Sequence, residues 1–193
     1  MLVALVCIAS SYLIGTFPSA LLVGRRSGVD PTRAGSGNPG TTNVLRTAGR
    51  QAALLTLAGD AGKGALAAVL GWAVDSRGLG VACGLAAVVG HVAPATRRFR
   101  GGKGVATAAG MVMALYPALA AVGAGAYAAA FAVTRIGSVA SLTAAVVVPT
   151  VGAVAGIPGR ELAGLVACEA VVVLRHSDNI RRIGRGQEGT LRP

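Results

Sequence analysis

Charge is scarce in this chain. Asp, Glu, Lys and Arg make up 13% of its 193 residues, about half the share of a soluble domain. A soluble helical bundle is excluded, because the apolar runs are too long and too uninterrupted. Cysteine is nearly absent. Cys7, Cys83 and Cys168 fall in apolar runs with no CxxC pair. They read as small buried hydrophobes, not as disulfides or metal ligands. With two histidines and no tight Cys/His cluster, no zinc site and no metal are expected. The N-terminus lacks a basic segment, and Arg25 and Arg26 follow the first apolar run. A cleaved signal peptide has the opposite charge order, so a retained first helix is expected. Aromatics are few, at 4%. Gly and Ala are abundant instead, and small residues such as Gly80 and Gly84 let membrane helices approach closely.

Acidic residues are also few, which leaves a net charge of +11. In a soluble chain that excess would point to nucleic acid. Here the basic residues crowd the gaps between apolar runs. That distribution sets orientation across a bilayer and meets anionic lipid head groups. No nucleic acid partner is expected.

The runs cover roughly 2–24, 52–74, 78–94, 104–133, 137–156 and 161–174. The fourth is long and contains Pro117, which removes a helix hydrogen bond. A turn at Tyr116-Pro117 gives seven spans and puts fifteen of the eighteen basic residues on one side. A single helix there would send Arg135 and the arginines of the tail to the other side. The positive-inside rule selects seven. The expectation is one all-α, polytopic membrane domain over 1–193, with its N-terminus outside and its C-terminus in the cytoplasm.

Polar clusters sit where the apolar runs break. The first is Ser36-Gly37-Asn38, through Thr41-Thr42-Asn43 to Arg46. Its glycines let backbone approach a ligand. Its hydroxyls, amides and guanidinium suit a phosphate. The second is Arg100-Gly101-Gly102-Lys103-Gly104 before an apolar helix. A glycine-rich turn at a helix start presents free N–H groups to an anion. It is not a Walker A loop, because Gly104 follows Lys103. In the third, Arg135 precedes Ser138 and Ser141, which share one helix face. In the fourth, Arg175 and His176 precede Asn179, and His176 can exchange protons near neutral pH. Glu188 is an ion-pair partner or a plain tail residue. Asp60 and Lys63, three apart inside a span, form an ion pair or contact substrate. His91 ends the third run near the same face.

In order along the chain, these residues resemble the bacterial membrane acylphosphate:glycerol-3-phosphate acyltransferases, the PlsY family. The patterns GSGNxGxTNxxR, DxxKG, GHxxPxxxxFxGGKGVAT and RHxxNIxR-xxxGxE match Gly35–Arg46, Asp60–Gly64, Gly90–Thr107 and Arg175–Glu188. An Arg/Ser segment matches Arg135–Ser141. The likeness runs over nearly the whole chain. Two places depart from the pattern. Gly15-Thr16-Phe17-Pro18 stands where GSIP is usual, and Arg135-Ile136-Gly137-Ser138 where RYVS is usual.

The resemblance implies a seven-helix enzyme of the bacterial cytoplasmic membrane, with its active site near the cytoplasmic face. Acyl phosphate would acylate glycerol 3-phosphate, without acyl-CoA, acyl carrier protein or a cofactor, to give lysophosphatidate. Ser36, Lys103, His176 and Asn179 are then the catalytic candidates. Gly37, Asn38, Thr41, Thr42, Asn43, Arg46, Gly101, Gly102, Gly104, Ser138 and Ser141 are the substrate-binding candidates. Asp60, Lys63, His91, Arg135, Arg175 and Glu188 support them. The base is His176 or a substrate phosphate oxygen. The rival reading is an anion transporter, which needs a polar path to both faces; here the motifs gather at one. A lipid-binding scaffold leaves the glycine-rich cradles unexplained.

Overall fold

The computed structural model describes residues 1–191. Among them the regular structure is helical: α1 (Leu2–Gly15), α2 (Ser19–Arg26), α3 (Thr41–Val74), α4 (Arg77–Val92), α5 (Val105–Leu115), α6 (Pro117–Thr134), α7 (Gly137–Val154), α8 (Gly159–Leu174) and α9 (Ser177–Gly184). Five stretches are long and apolar enough to cross a membrane: Leu2–Arg26, Thr41–Val74, Arg77–Arg97, Pro117–Thr134 and Gly137–Val154. α5 and α8 are shorter, at 11 and 16 residues.

Two breaks follow proline. The first apolar run divides at Pro18 into α1 and α2. The fourth divides at Tyr116, whose φ of −142° and ψ of 69° leave the helical region, and Pro117 opens α6. The proline ring is pre-set for the first helical turn and cannot continue a preceding helix. The long run is therefore two helices.

A third boundary differs from the sequence expectation. The cluster around Thr41 reads as loop, yet α3 begins at Thr41 and runs into the span, broken at Gly49 with φ 85° and ψ −179°. Thr41, Thr42 and Arg46 thus ride on a short helical segment above the membrane portion.

α3 packs against both α4 and α5, and α4 also meets α1 and α8. The α3–α5 crossing is close because both partners are glycine at the contact. A Cβ at Gly110 would lie 1.9 Å from the Ala61 carbonyl oxygen, and one at Gly64 would lie 2.0 Å from that of Thr107. In lipid, helix association relies on such small-residue packing. The core holds Val81, Val88, Met111, Leu165, Cys168 and Val172. α6 lies outermost and packs chiefly on α7. All three cysteines are buried and free.

Candidate active site

The polar breaks converge on one cavity of about 1040 Å³. Its mouth is formed by the start of α3, the loop before α5, the start of α7, α9 and the tail. Ser36, Gly37, Asn38, Thr41, Thr42, Arg46, Gly101, Lys103, Gly104, Ser138, Ser141, His176, Asn179 and Glu188 all line it. An apolar limb continues downward between α5, α6 and α7, lined by Ala106, Ala109, Val112, Ala120, Gly123 and Val148.

Asn43 organises the first wall. Its Oδ1 accepts from the Ser36 amide at 2.9 Å, and its Nδ2 donates to the Pro31 and Ala34 carbonyls at 2.8 and 3.0 Å. The sequence places Asn43 among the ligand donors. Asn43 does line the cavity, but both its amide hydrogens are committed to the loop and the residue is buried. It splints the loop that carries Ser36, Gly37 and Asn38. Thr41 Oγ1 is buried beside the cavity without a protein partner. A buried hydroxyl is costly to leave unpaired, so a ligand oxygen suits it. Arg46 is exposed and reaches the Gly189 carbonyl through Nη2 at 3.3 Å.

The second wall is the Gly101–Gly104 loop, pressed against His91. The Gly102 amide donates to the His91 carbonyl at 3.1 Å. A Cβ at Gly101 would stand 2.0 Å from that carbonyl oxygen, and one at Gly102 would stand 2.1 Å from His91 Nε2. Only glycine fits here. Arg175 holds the other side, donating through Nε and Nη2 to the Gly102 and Gly101 carbonyls at 3.3 and 3.4 Å. With its carbonyls so engaged, the loop leaves the first amides of α5 free toward the cavity, as helix starts do.

Behind this loop lies a buried cluster. Lys63 Nζ donates to Asp60 at 2.8 Å, to the Phe17 carbonyl at 3.1 Å and to His91 Nδ1 at 2.7 Å. His91 Nδ1 also lies 3.5 Å from the Asp60 carboxylate, so the three side chains form one buried group. Lys63 does not line the cavity, and Gly102 contributes through its backbone position. Arg135 is also outside the lining. Its side chain is exposed, its φ is 57°, and its carbonyl accepts from the Leu191 amide at 2.8 Å. It caps α6 and ties down the tail.

The third wall is a chain of hydrogen bonds. Lys103 Nζ donates to Asn179 Oδ1 at 2.5 Å, and Asn179 Nδ2 donates to Glu188 Oε1 at 2.5 Å. Ser138 Oγ donates to the same Glu188 oxygen at 2.7 Å, and Arg182 Nε meets Glu188 Oε2 at 2.6 Å. Glu188 is thus the hub of the site. Burial pushes its carboxyl upward, but the bonds from Arg182, Ser138 and Asn179 outweigh this and hold it below its usual range. Ser141 Oγ returns to the Gly137 carbonyl at 2.8 Å while lining the cavity.

Two groups at the mouth have shifted proton affinities. Burial lowers Lys103 to about 8 against the upward pull of Glu188, with smaller downward contributions from arginines 182, 175 and 46. Burial also lowers His176 below its ordinary value, aided by Lys103, against the upward pull of its bond to the Val172 carbonyl. That bond, 2.8 Å from Nδ1, requires the proton on Nδ1, because a carbonyl only accepts. Nε2 then carries a lone pair. Buried neutral His176 is an acceptor at the cavity wall.

Arg100 of the second cluster also lines the cavity; sequence reading missed Arg182 and Phe99 as lining residues, and Glu169 and Tyr127 on the limb. The signal for Arg182 was available, since it stands three residues after Asn179 and shares its helix face. Glu169 carried the general signal of a carboxyl within an apolar run.

A cationic mouth over an apolar limb, set among apolar helices, defines a membrane enzyme that joins an anionic head to a lipid chain. The chain belongs to the glycerol-3-phosphate acyltransferase family, whose model matches residues 5–186. The glycerol-3-phosphate acyltransferase of Pseudomonas paraeruginosa is 43% identical over 184 residues, covering 92% of this chain and 94% of that protein. That of Symbiobacterium thermophilum is 43% identical over 180 residues, covering 93% and 90%. Two crystal structures of PlsY (YgiH), an integral membrane glycerol 3-phosphate acyltransferase, share 34% identity. The glycerol 3-phosphate form superposes with TM-score 0.92 over 98% of this chain and 96% of that one. The lysophosphatidic acid form gives 0.91 over 98% and 95%. This chain is an integral membrane glycerol-3-phosphate acyltransferase of phospholipid biosynthesis.

Proposed function

We propose that the acyl donor is an acyl phosphate and that it acylates the 1-hydroxyl of glycerol 3-phosphate. The carrying observation is the cavity's shape. One mouth offers cations and free amides for two phosphoryl groups, and one apolar limb is sized for a chain. Lys103, Arg46, Ser36, Thr41 and the amides of Lys103 and Gly104 bind the phosphoryl groups. Gly37, Asn38, Thr42, Ser138 and Ser141 shape their subsites. Asn179 and Glu188 hold Lys103 in place. The hydroxyl oxygen bonds to the acyl carbonyl carbon, the carbon–oxygen bond to phosphate breaks, and phosphate leaves with the hydroxyl proton. Neutral His176 accepts at Nε2 from a protonated phosphoryl oxygen and orients that phosphate, whose free oxygen takes the hydroxyl proton. No covalent acyl-enzyme is needed, because phosphate is already a good leaving group. Holding two anions together against their repulsion is the protein's main contribution.

Purified protein given palmitoyl phosphate and glycerol 3-phosphate should release inorganic phosphate and form lysophosphatidate in equal amounts. Palmitoyl-CoA should give none. Release with palmitoyl-CoA and not with the phosphate would overturn the donor. The transporter reading fares worse, since the polar groups cluster at one end of the helices.

The same reading includes seven spans in a bacterial cytoplasmic membrane, with α5 and α8 as the two short ones and the mouth toward the cytoplasm. The arginine distribution supports it. Arg77 lies at the opposite helix ends, against the rings of Trp72 and Tyr116. Cysteines placed at Arg77 and Ser177 should label from opposite sides of sealed vesicles; labelling from one side would remove a span.

A further inference from the structure

One carboxyl on the cavity has no place in the mechanism. Glu169 stands mid-way along α8, with 9% of its surface exposed. It lines the apolar limb. Among the described residues it has no hydrogen bond or ion-pair partner. The other carboxylates on the cavity are engaged. Asp60 is held by Lys63, Glu188 by three donors, and exposed Asp178 by Arg181. Ionisable groups inside a span are costly and normally face a partner or a functional space.

Its depth is readable from the helix. Glu169 precedes His176 by seven residues, which is two turns on one face, or about 10 Å along the axis. A second polar group stands at a similar depth. Tyr127 of α6 precedes Thr134 by seven residues and lines the same limb. Its phenol also has no hydrogen-bond partner among the described residues.

We propose that Glu169, with Tyr127 nearby in depth, is a specificity-determining station for an acyl chain bearing a hydrogen-bonding substituent near its middle, a hydroxyl above all. This rests on the assignment of the limb to the acyl chain. A hydroxyl both donates and accepts. It therefore satisfies Glu169 as carboxylate or as acid. A plain methylene satisfies neither and seals the carboxyl away from water without a partner, which disfavours it. A site built to pair with a hydroxyl discriminates against the chain that lacks one. Near the carbonyl, or at the chain end, the same hydroxyl does not stand at the depth of Glu169.

The test uses the purified protein in lipid nanodiscs with glycerol 3-phosphate. The donors are palmitoyl phosphate and its isomers hydroxylated near the carbonyl, at mid-chain or near the end. The readout is the kcat/KM of phosphate release. Wild type should favour the mid-chain hydroxy donor over palmitoyl phosphate by at least ~10-fold, and not the other isomers. Glu169→Leu should bring that ratio close to one, while Glu169→Gln, which still pairs with a hydroxyl, should keep most of it. An equal ratio in wild type and Glu169→Leu overturns the proposal. So does a wild-type preference for the plain chain that Glu169→Leu relieves, since Glu169 would then only limit chain length. If Glu169→Leu fails to fold, the positional scan on wild type decides alone. No release from any donor in wild type is a separate failure, that of the donor assignment itself.

Discussion

Lys103→Ala should lower turnover at least ~100-fold while the protein stays folded. Among the described residues, the ammonium is the one cation at the mouth that is partly buried and held by a side chain of the site, Asn179. Charge-assisted contacts are about twice as strong as neutral ones. Losing ~2.7 kcal/mol of transition-state stabilisation is a hundredfold. The side chain carries no packing load, so detergent-solubilised melting should barely move. Near-normal turnover would reduce Lys103 to a lipid anchor.

The same residue sets a pH limb. Its proton affinity is lowered to about 8, so the free enzyme keeps the charge below that pH and loses it above. The kcat/KM for glycerol 3-phosphate should fall as pH rises through about 8. A bound phosphoryl group favours the ammonium and raises its affinity again. The limb in kcat should therefore lie at higher pH than the limb in kcat/KM. Lys103→Arg, which stays protonated, should move both limbs out of range. An alkaline limb unchanged in that variant would assign it elsewhere.

His176→Ala should cost about 100-fold, the scale of a small misplacement of a reacting atom. His176→Gln should keep turnover within ~10-fold of wild type, because its amide oxygen still accepts the hydrogen bond that orients the phosphate. The acid limb decides between orientation and proton removal. His176 lies below its ordinary value, and substrate phosphate titrates near pH 6. If phosphate takes the proton, the Gln variant keeps the acid limb. Loss of both turnover and limb in Gln would make His176 the essential base.

Much of this site was legible in sequence because each motif marks an interruption of an apolar run. Ser36, Arg46, Lys103, Ser138, His176 and Asn179 all reach one cavity. The break at Tyr116 followed from counting arginines. What sequence hid was direction. Asn43 has the chemistry of a ligand donor, but its hydrogens turn into the loop. Lys63 could contact substrate or pair with Asp60, and the structure pairs it with Asp60 and His91, behind the glycine turn. Glu188 could be an ion-pair partner or a plain tail residue, and the structure pairs it with Arg182. Glu169 lies in no motif, and only the packing of α5 to α8 reveals that its face borders a space.

The division of the cavity into a wet mouth and a dry limb has a kinetic consequence. The two substrates are counted in different units. Glycerol 3-phosphate is measured per volume of water, whereas a donor held in the bilayer is measured per molecule of lipid. Adding inert phospholipid at fixed total donor should slow the reaction although no bulk concentration changes. Adding buffer should lower saturation by the head alone. The enzyme thus samples a membrane's surface composition and a cell's soluble pool at once, and its rate reports their product.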